Sequence, residues 1–531
     1  MPRITVNEID SSRYVSPTKS APMVVLVPGT ASFGPVFSAT SPAVSTFVGA
    51  DALADFYRMY GDSPACVEGD AGVLTSVEGD GSFEYATNLL RSGATIQFYR
   101  LNSGKKATSA DGKVSAKYDG RFGNHLVVKI EAVGSSTTDA VLYIYKSKTA
   151  FEEKSTTIDV NTLTELYNTR VSANTNSEFY VDGLDLPYVE IKATDLAALI
   201  AGEEKTINLF GGLDFAVNGQ ETDTAATELV TNLAASFENF ADPYLFDFDF
   251  ITSGGIVLST DEANKAIHLK MRDLALARKD CEAILDTAAQ DKYTDVITYI
   301  QDVDFNTSYC AFYAPWATIV SATTGKTVLV PPSLLFMKAI LLGMQSQTEA
   351  ELWYVPAGVS RASAPFIVSP AYEIGSTILD EFQNKYKYRV NPIMKLRNYG
   401  YCVYGNATAL HAEPGVPHSA LESLNVRLIS NVVKKYIFEV CSGLSFDYNN
   451  STLWLKFYSK MDEKLLYMKR HYGLYDYKIQ MDSSTVTKVA QNERRVPGKI
   501  IISPTLAGEY FDIDFEIAPS GVTFGAEGEN N

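Results

Sequence analysis

Five histidines, five cysteines and a surplus of carboxylates are the groups from which this chain could build a reactive centre. Catalysis needs several of them converging, and a metal needs them at ligand spacing. His411 and His418, in HAEPGVPH, are the one pair that comes close, and a seven-residue step across two prolines matches no zinc pattern. A surface loop is expected there; His125, His268 and His471 stand apart. HExxH, GxSxG and CxxC do not occur. The glycine pairs Gly211–Gly212 and Gly254–Gly255 lack the G-K-[ST] ending of a phosphate-cradling loop, so tight turns are the better reading. Asp and Glu are plentiful, but nothing in their spacing marks out an acid–base pair. The expectation is a protein with no catalytic residue, no metal and no cofactor, and not an enzyme.

Cys66, Cys281, Cys310, Cys402 and Cys441 are far apart and odd in number, which suits buried thiols in a reducing compartment better than disulfides. A formal net charge of −18 works against binding nucleic acid through its phosphates. The opening MPRITVNEID has no basic stretch followed by an apolar core, and VLVPPSLLFMKAILLGM is broken by two prolines and a lysine. Neither a signal peptide nor a membrane span is expected. At 531 residues the chain exceeds one hydrophobic core, and two to four domains are expected.

The elements that would position any site follow from hydrophobic period. MVVLVPG (23–29) and ATIQFYRL (94–101) read as strands, and GADALADFYRMYG (49–61) and GSFEYATNLLRSG (81–93) as helices. From 106 to 205 short strands such as HLVVKIEAV, AVLYIYKS and FYVDGL alternate with Ser/Thr/Asn/Gly turns. Helical period returns at 225–240 and over 261–285, and again in two amphipathic segments, 421–443 and 452–473, each expected to stop at a glycine. YDYKIQM, KIIISP and YFDIDFEI follow as strands. In the last, Phe511, Ile513, Phe515 and Ile517 share one face and Asp512, Asp514 and Glu516 the other. Chain ends fray unless something ties them down, so this strand needs a partner. Trp316 and Trp353 are expected in the core.

The stretch 311–358 carries Tyr313, Pro315 and Trp316, then Val330, Pro331, Pro332 and Ser333, then Trp353 leading to Pro356, Ala357 and Gly358. In order and spacing it resembles the middle signature of contractile phage tail sheath proteins. Collinear pieces extend the resemblance over nearly the whole chain. PRITVNEIDSS looks like the family's N-terminal arm, and VVLVPGTASFGPV like its Gly-Pro strand-loop. DALADFYRMYG and ATNLLRSGATIQFYRL resemble the elements after it, with Ser92-Gly93 in place of Asn-Gly. Tyr118, Gly120, Gly123 and Asn124 match a Tyr-x-Gly-x-x-Gly-Asn segment, LFGGLD a Gly-Gly turn, and LNVRLISNVVKKYI a C-terminal helix. A single Arg427 stands where the family has two arginines, and FEVCSGLSFDYNN is a loose match to its Phe-Glu-x-Asn.

The resemblance implies an α/β (α+β) multidomain fold with an α/β core, a β-rich inserted domain and extended N- and C-terminal strand arms. The expected division is an arm 1–20, an α/β domain 21–105 plus 206–350, an insertion 106–205, a C-terminal domain 351–518 and an acidic tail 519–531. It further implies helical polymerisation around a tail tube, with contraction from a metastable extended state. Partners would be other copies, the tube protein, baseplate and tail terminator proteins, with no direct nucleic-acid or membrane contact, in a virion assembled in the host cytoplasm. Ile4, Val6 and Ile9 of one copy and Phe511, Ile513, Phe515 and Ile517 of another would be strand arms crossing subunit boundaries; the alternative is an intrachain strand beside KIIISP. Lys456, Lys460, Lys464, Lys469 and Arg470 outnumber Asp462 and Glu463 on one helix. They would form a stripe for an acidic tube, or simply a solvated face. A phage sheath and the sheath of a phage-tail-like bacteriocin or other injection system remain alternatives. So, further off, does a β-rich receptor-binding or glycan-cleaving protein.

Overall fold

A computed structural model of the chain describes residues 23–38, 43–62, 81–180, 186–202, 205–217, 220–221, 225–256, 261–287, 292–322, 325–346, 351–383, 389–411 and 415–509. Eight strands form the central sheet, in the order Gly400–Val403, Asn391–Leu396, Cys310–Ala314, Glu282–Leu285, Phe250–Ile251, Val24–Gly29, Thr95–Arg100, Ser45–Phe47. The six inner strands run parallel, and each outer strand is antiparallel to its neighbour. Parallel strands are covered on both faces, which is why VVLVPG and CAFYA read as continuous apolar runs. On one face the helices Ala52–Tyr60, Gly81–Arg91 and Pro332–Ser346 pack on Val25, Val27, Ile284 and Tyr313. On the other, Ala225–Ser236, Asp261–Arg278 and Tyr293–Val303 pack on Leu26, Ala283, Leu285 and Phe312.

The single helix expected over 261–285 is instead a helix and a strand. The helix stops at Arg278, Lys279 takes φ +64°, and Glu282–Leu285 is a wholly buried inner strand. Pairing with Phe250–Ile251 and Cys310–Ala314 overrides the helical period there. The helix expected to end at Gly443 runs through it to Leu444, and the next ends at Arg470, before Gly473.

Residues 105–209 carry a core of their own. A four-stranded antiparallel sheet, ordered Thr164–Ser172, Asp139–Lys146, Leu126–Ala132, Thr206–Asn208, is packed by Leu196, Leu199 and Ile200 of the helix Ala193–Ala201. Of FYVDGL, Tyr180 makes an isolated bridge to Ser172, and 181–185 lie outside the described residues. The last described elements are a helical hairpin, Leu424–Leu444 and Ser451–Arg470, and a two-stranded antiparallel sheet, Leu474–Gln480 with Lys499–Pro504.

Candidate functional site

In open α/β sheets the crevice where strand order reverses is the usual ligand site. Here that point lies between Val24–Gly29 and Phe250–Ile251, and protein fills it. Gly254 approaches so closely that a Cβ would lie 1.8 Å from the Pro28 carbonyl oxygen, and the Thr252 hydroxyl donates to Leu26 O at 3.0 Å. Beside it the buried Arg100 guanidinium donates to Gly34 O at 2.8 Å and to Asp119 at 3.1 Å, while Asn102 donates to Ala31 O and Asp214 O. Two segments 88 residues apart in the sequence meet here. Asn124 and Gly212 exchange hydrogen bonds, 3.0 Å and 2.7 Å, so the Gly-Asn segment and the Gly-Gly turn clamp each other. Gly120, at φ +125°, sits where a Cβ would be 1.9 Å from Ser32 O.

The residues of the central signature are joints rather than reactive groups. Tyr313 stacks on Phe336 with centroids 4.2 Å apart. Trp316, 2% exposed, donates from Nε1 to Thr287 O at 2.9 Å, and Trp353, 3% exposed, donates to His471 O at 3.2 Å. Both tryptophans are core, as expected. Pro332 opens the helix Pro332–Ser346, where a missing N–H costs nothing. Ser333 N donates to Asp286 Oδ1 at 2.8 Å, the Ser333 hydroxyl donates to Oδ2, and Tyr85 OH lies 2.9 Å from Ser333 Oγ. Asp286 thus caps this helix from the end of an inner strand. Burial pushes its carboxyl up to about 7, opposed by the bonds from Ser333. A buried Ser beside an acid can serve as a nucleophile only if substrate reaches it, and Ser333 is 0% exposed.

The hairpin buries Leu453, Phe457, Met461, Leu465 and Met468 along one face of Ser451–Arg470, against Ile429, Val433 and Val440. Asn450 caps that helix by accepting from Thr452 N and Leu453 N. Lys435 ties the hairpin to the sheet through Asp249 at 2.7 Å and Asp247 at 2.6 Å. Burial lowers its ammonium, but the two carboxylates hold it above its ordinary value. The five cations of the expected stripe are all on the helix. Lys456, Lys464 and Lys469 pair with Asp447, Glu439 and Asp476 at 2.9, 2.7 and 2.8 Å. Lys460 and Arg470 are exposed and make no ion pair among the described residues. At the hairpin tip Phe446, at φ +71°, and Tyr448 are fully exposed, which no period in FEVCSGLSFDYNN announces.

His411 and His418 do not converge: His418 Nδ1 lies 2.9 Å from Glu422, and His411 Nδ1 3.4 Å from Ala409 O. Among the described residues no group of three or more His, Cys, Asp or Glu is placed to hold a metal, and no helix is long and apolar enough to cross a membrane. His268 is enclosed against Tyr299 OH at 2.6 Å, and burial pushes it down to about 3. Cys281, Cys310 and Cys402 are buried thiols, but Cys441 is exposed, correcting the expectation for it, and Cys66 lies outside the described residues. Ile4, Val6, Ile9, Phe511, Ile513, Phe515 and Ile517 lie outside them too. The described chain ends at Glu509, which accepts from Asn406 at 3.1 Å on the wall of a cavity of about 390 Å³ shared with Ala357, Gly358, Phe382 and Arg389.

No family model matches the chain. Over 190 residues it is 24% identical to the tail sheath protein of Enterobacteria phage T4, and over 172 residues 22% identical to that of Vibrio phage KVP40. These stretches are 35% and 32% of this chain, and 28% and 24% of the relatives, so the chain matches about a quarter of their length. The fold agrees with a sheath tail protein from Listeria innocua at a TM-score of 0.55 and 13% identity, over 88% of this chain and 90% of that one. It agrees with the helical sheath of the anti-feeding prophage in the contracted state at 0.52 and 11%, over 97% and 98%. Over about a third of its sequence the chain is similar to phage tail sheath proteins, and its multidomain α/β fold is that of sheath proteins of known structure.

Proposed function

We propose that the chain is the subunit of a contractile sheath: copies stack as helical rings around a tail tube and pass from a metastable extended lattice to a shorter, wider one that drives the tube through the host envelope. The likeness to a contracted helical sheath over nearly the full length of both chains carries this reading. Rigid units repacking through larger interfaces supply the work, and a head-to-tail contact that does not close supplies the helix. Tube, baseplate and terminator proteins are the partners, and assembly takes place in the bacterial cytoplasm before the sheath enters a virion. In this reading the chain divides as an α/β domain, 21–105 with 206–350, an insertion, 106–205, on the sheath exterior, and a C-terminal domain from 351 that lends Asn391–Leu396 and Gly400–Val403 to the central sheet.

The arms complete the two-stranded sheet Leu474–Gln480/Lys499–Pro504. A lone two-stranded sheet is marginal in water, and neither strand has a second neighbour among the described residues. Its strand Lys499–Pro504 lies six residues before the alternation Phe511, Ile513, Phe515, Ile517. A copy donating that segment, and another donating Ile4, Val6 and Ile9, would add main-chain hydrogen bonds for strength and an apolar face for register. Removing residues 1–12, or 510–531, should leave a folded monomer that sedimentation velocity finds unable to polymerise. A truncated chain that unfolds would assign the strand to its own subunit instead. A second reading, the sheath of a tail-like injection machine, has the support of the anti-feeding prophage likeness; the subunit's role is the same in both.

A further inference from the structure

The cavity of about 390 Å³ beside Glu509 is walled by separate stretches of the chain. Leu379 and Phe382 come from the helix Ser376–Phe382, Val390 and Asn391 from the entry to the strand Asn391–Leu396, and Ala357 and Gly358 from the end of the central signature. Backbone bonds hold these walls. Val390 N donates to Phe382 O at 3.0 Å, Gly358 N to Val403 O at 2.8 Å and Tyr404 N to Pro392 O at 2.8 Å. Asn391 adds the stretch at 407 by accepting from Ala407 N at 2.7 Å. The lining is apolar with a few polar groups, among them Arg389, which sits 3.6 Å from Glu422. A pocket of this size and character takes a large apolar group.

Ala507, Gly508 and Glu509 form a further wall, so the chain runs along the cavity as far as it is described. The Glu509 carboxylate accepts from Asn406 Nδ2 at 3.1 Å, and Asn406 is itself a lining residue. In an extended chain, residues two apart share a face and lie about 6.5 Å from each other. Phe511 is therefore the next side chain on the Glu509 side, with Tyr510 and Asp512 on the other. We propose that Phe511 seats in this cavity of its own chain, beside Leu379, Phe382 and Val390 and against the Arg389 guanidinium. The ring is withdrawn from water there and gains a cation beside its face. A tether of two residues from Glu509 gives it an effective concentration of about millimolar or above, so its own segment outcompetes that of a free copy. The C-terminal segment then leaves the subunit from a fixed point, with Ile513, Phe515 and Ile517 left for a neighbouring sheet. The seat belongs to the single subunit and does not depend on polymerisation.

Photocrosslinking of the full chain tests this. With p-benzoylphenylalanine in place of Phe511, crosslinks should reach the helix Ser376–Phe382 or residues 389–391 of the same chain. Mass spectrometry of mixed isotopically light and heavy chains separates these from crosslinks between copies. Crosslinks between copies would make the cavity a docking site for a neighbour's segment, and crosslinks to Lys499–Pro504, or none, would put Phe511 elsewhere. Each of these results overturns the seat, and none of them bears on whether the chain forms a sheath. Hydrogen exchange on non-polymerised protein gives an independent reading. Phe511→Ala should speed exchange of the amides at 510–512 at least about tenfold, while Phe515→Ala should leave them unchanged. Unprotected amides in the parent chain, or equal effects of the two substitutions, would also overturn the proposal.

Discussion

Asp286 takes an acid out of water to cap a helix, and the consequence is a pH-dependent stability. Its ordinary value is 3.8 and its folded value about 7, because burial penalises the charged form. With the folded value raised, the stabilisation is complete below about pH 4 and is lost as pH climbs to 7, a span worth roughly 4 kcal/mol. Asp286→Asn keeps an acceptor for Ser333 N and a donor for Ser333 Oγ but cannot ionise. Its stability relative to the parent should therefore rise by roughly 2 kcal/mol between about pH 5.5 and pH 8, read from urea unfolding midpoints of non-polymerised protein. A constant difference between the two would show that the carboxyl never resists ionisation. Nothing in DTAAQ distinguishes this aspartate from a solvated one. Its role exists only because Pro332 and Ser333 arrive from 47 residues away. Trp316 and Trp353 were legible, since a side chain this large and apolar gains most from burial.

At the scale of elements the period of the sequence located the strands Val24–Gly29 and Thr95–Arg100 and the two helices of the hairpin, and it failed at 279–285. Cys281 and Leu285, four apart, suit a helix face, while Cys281, Ala283 and Leu285 suit a strand face, and only the flanking strands decide between them. The basic stripe was legible as charge but not as pairing. Asp447, Glu439 and Asp476 lie outside helix Ser451–Arg470 and reach Lys456, Lys464 and Lys469 only once the hairpin and sheet are formed. Exposed pairs like these contribute about 0–1 kcal/mol, so the lysines are available to a more acidic partner. Reversing Lys460, Lys464 and Lys469 to Glu should leave the fold intact and weaken assembly on tail tubes at least about tenfold, with loss of the salt dependence of that assembly. Tubes decorated as fully as by the parent would remove this helix from the tube contact.

For the whole molecule, the resemblance lay in short collinear motifs whose meaning is tertiary. The Tyr-x-Gly-x-x-Gly-Asn segment and the Gly-Gly turn each look like any loop, yet Asn124 and Gly212 lock them together across 88 residues. The Val-Pro-Pro-Ser run likewise seats the helix Pro332–Ser346 on Asp286. These joints make rigid units, and contraction by repacking requires rigid units. Whether such units polymerise as a sheath is settled by negative-stain electron microscopy of the purified full-length chain, alone and co-expressed with a candidate tube protein. Hollow, regularly striated tubes in either preparation are the predicted result. Separate particles in both, with the tube protein left bare, would contradict it.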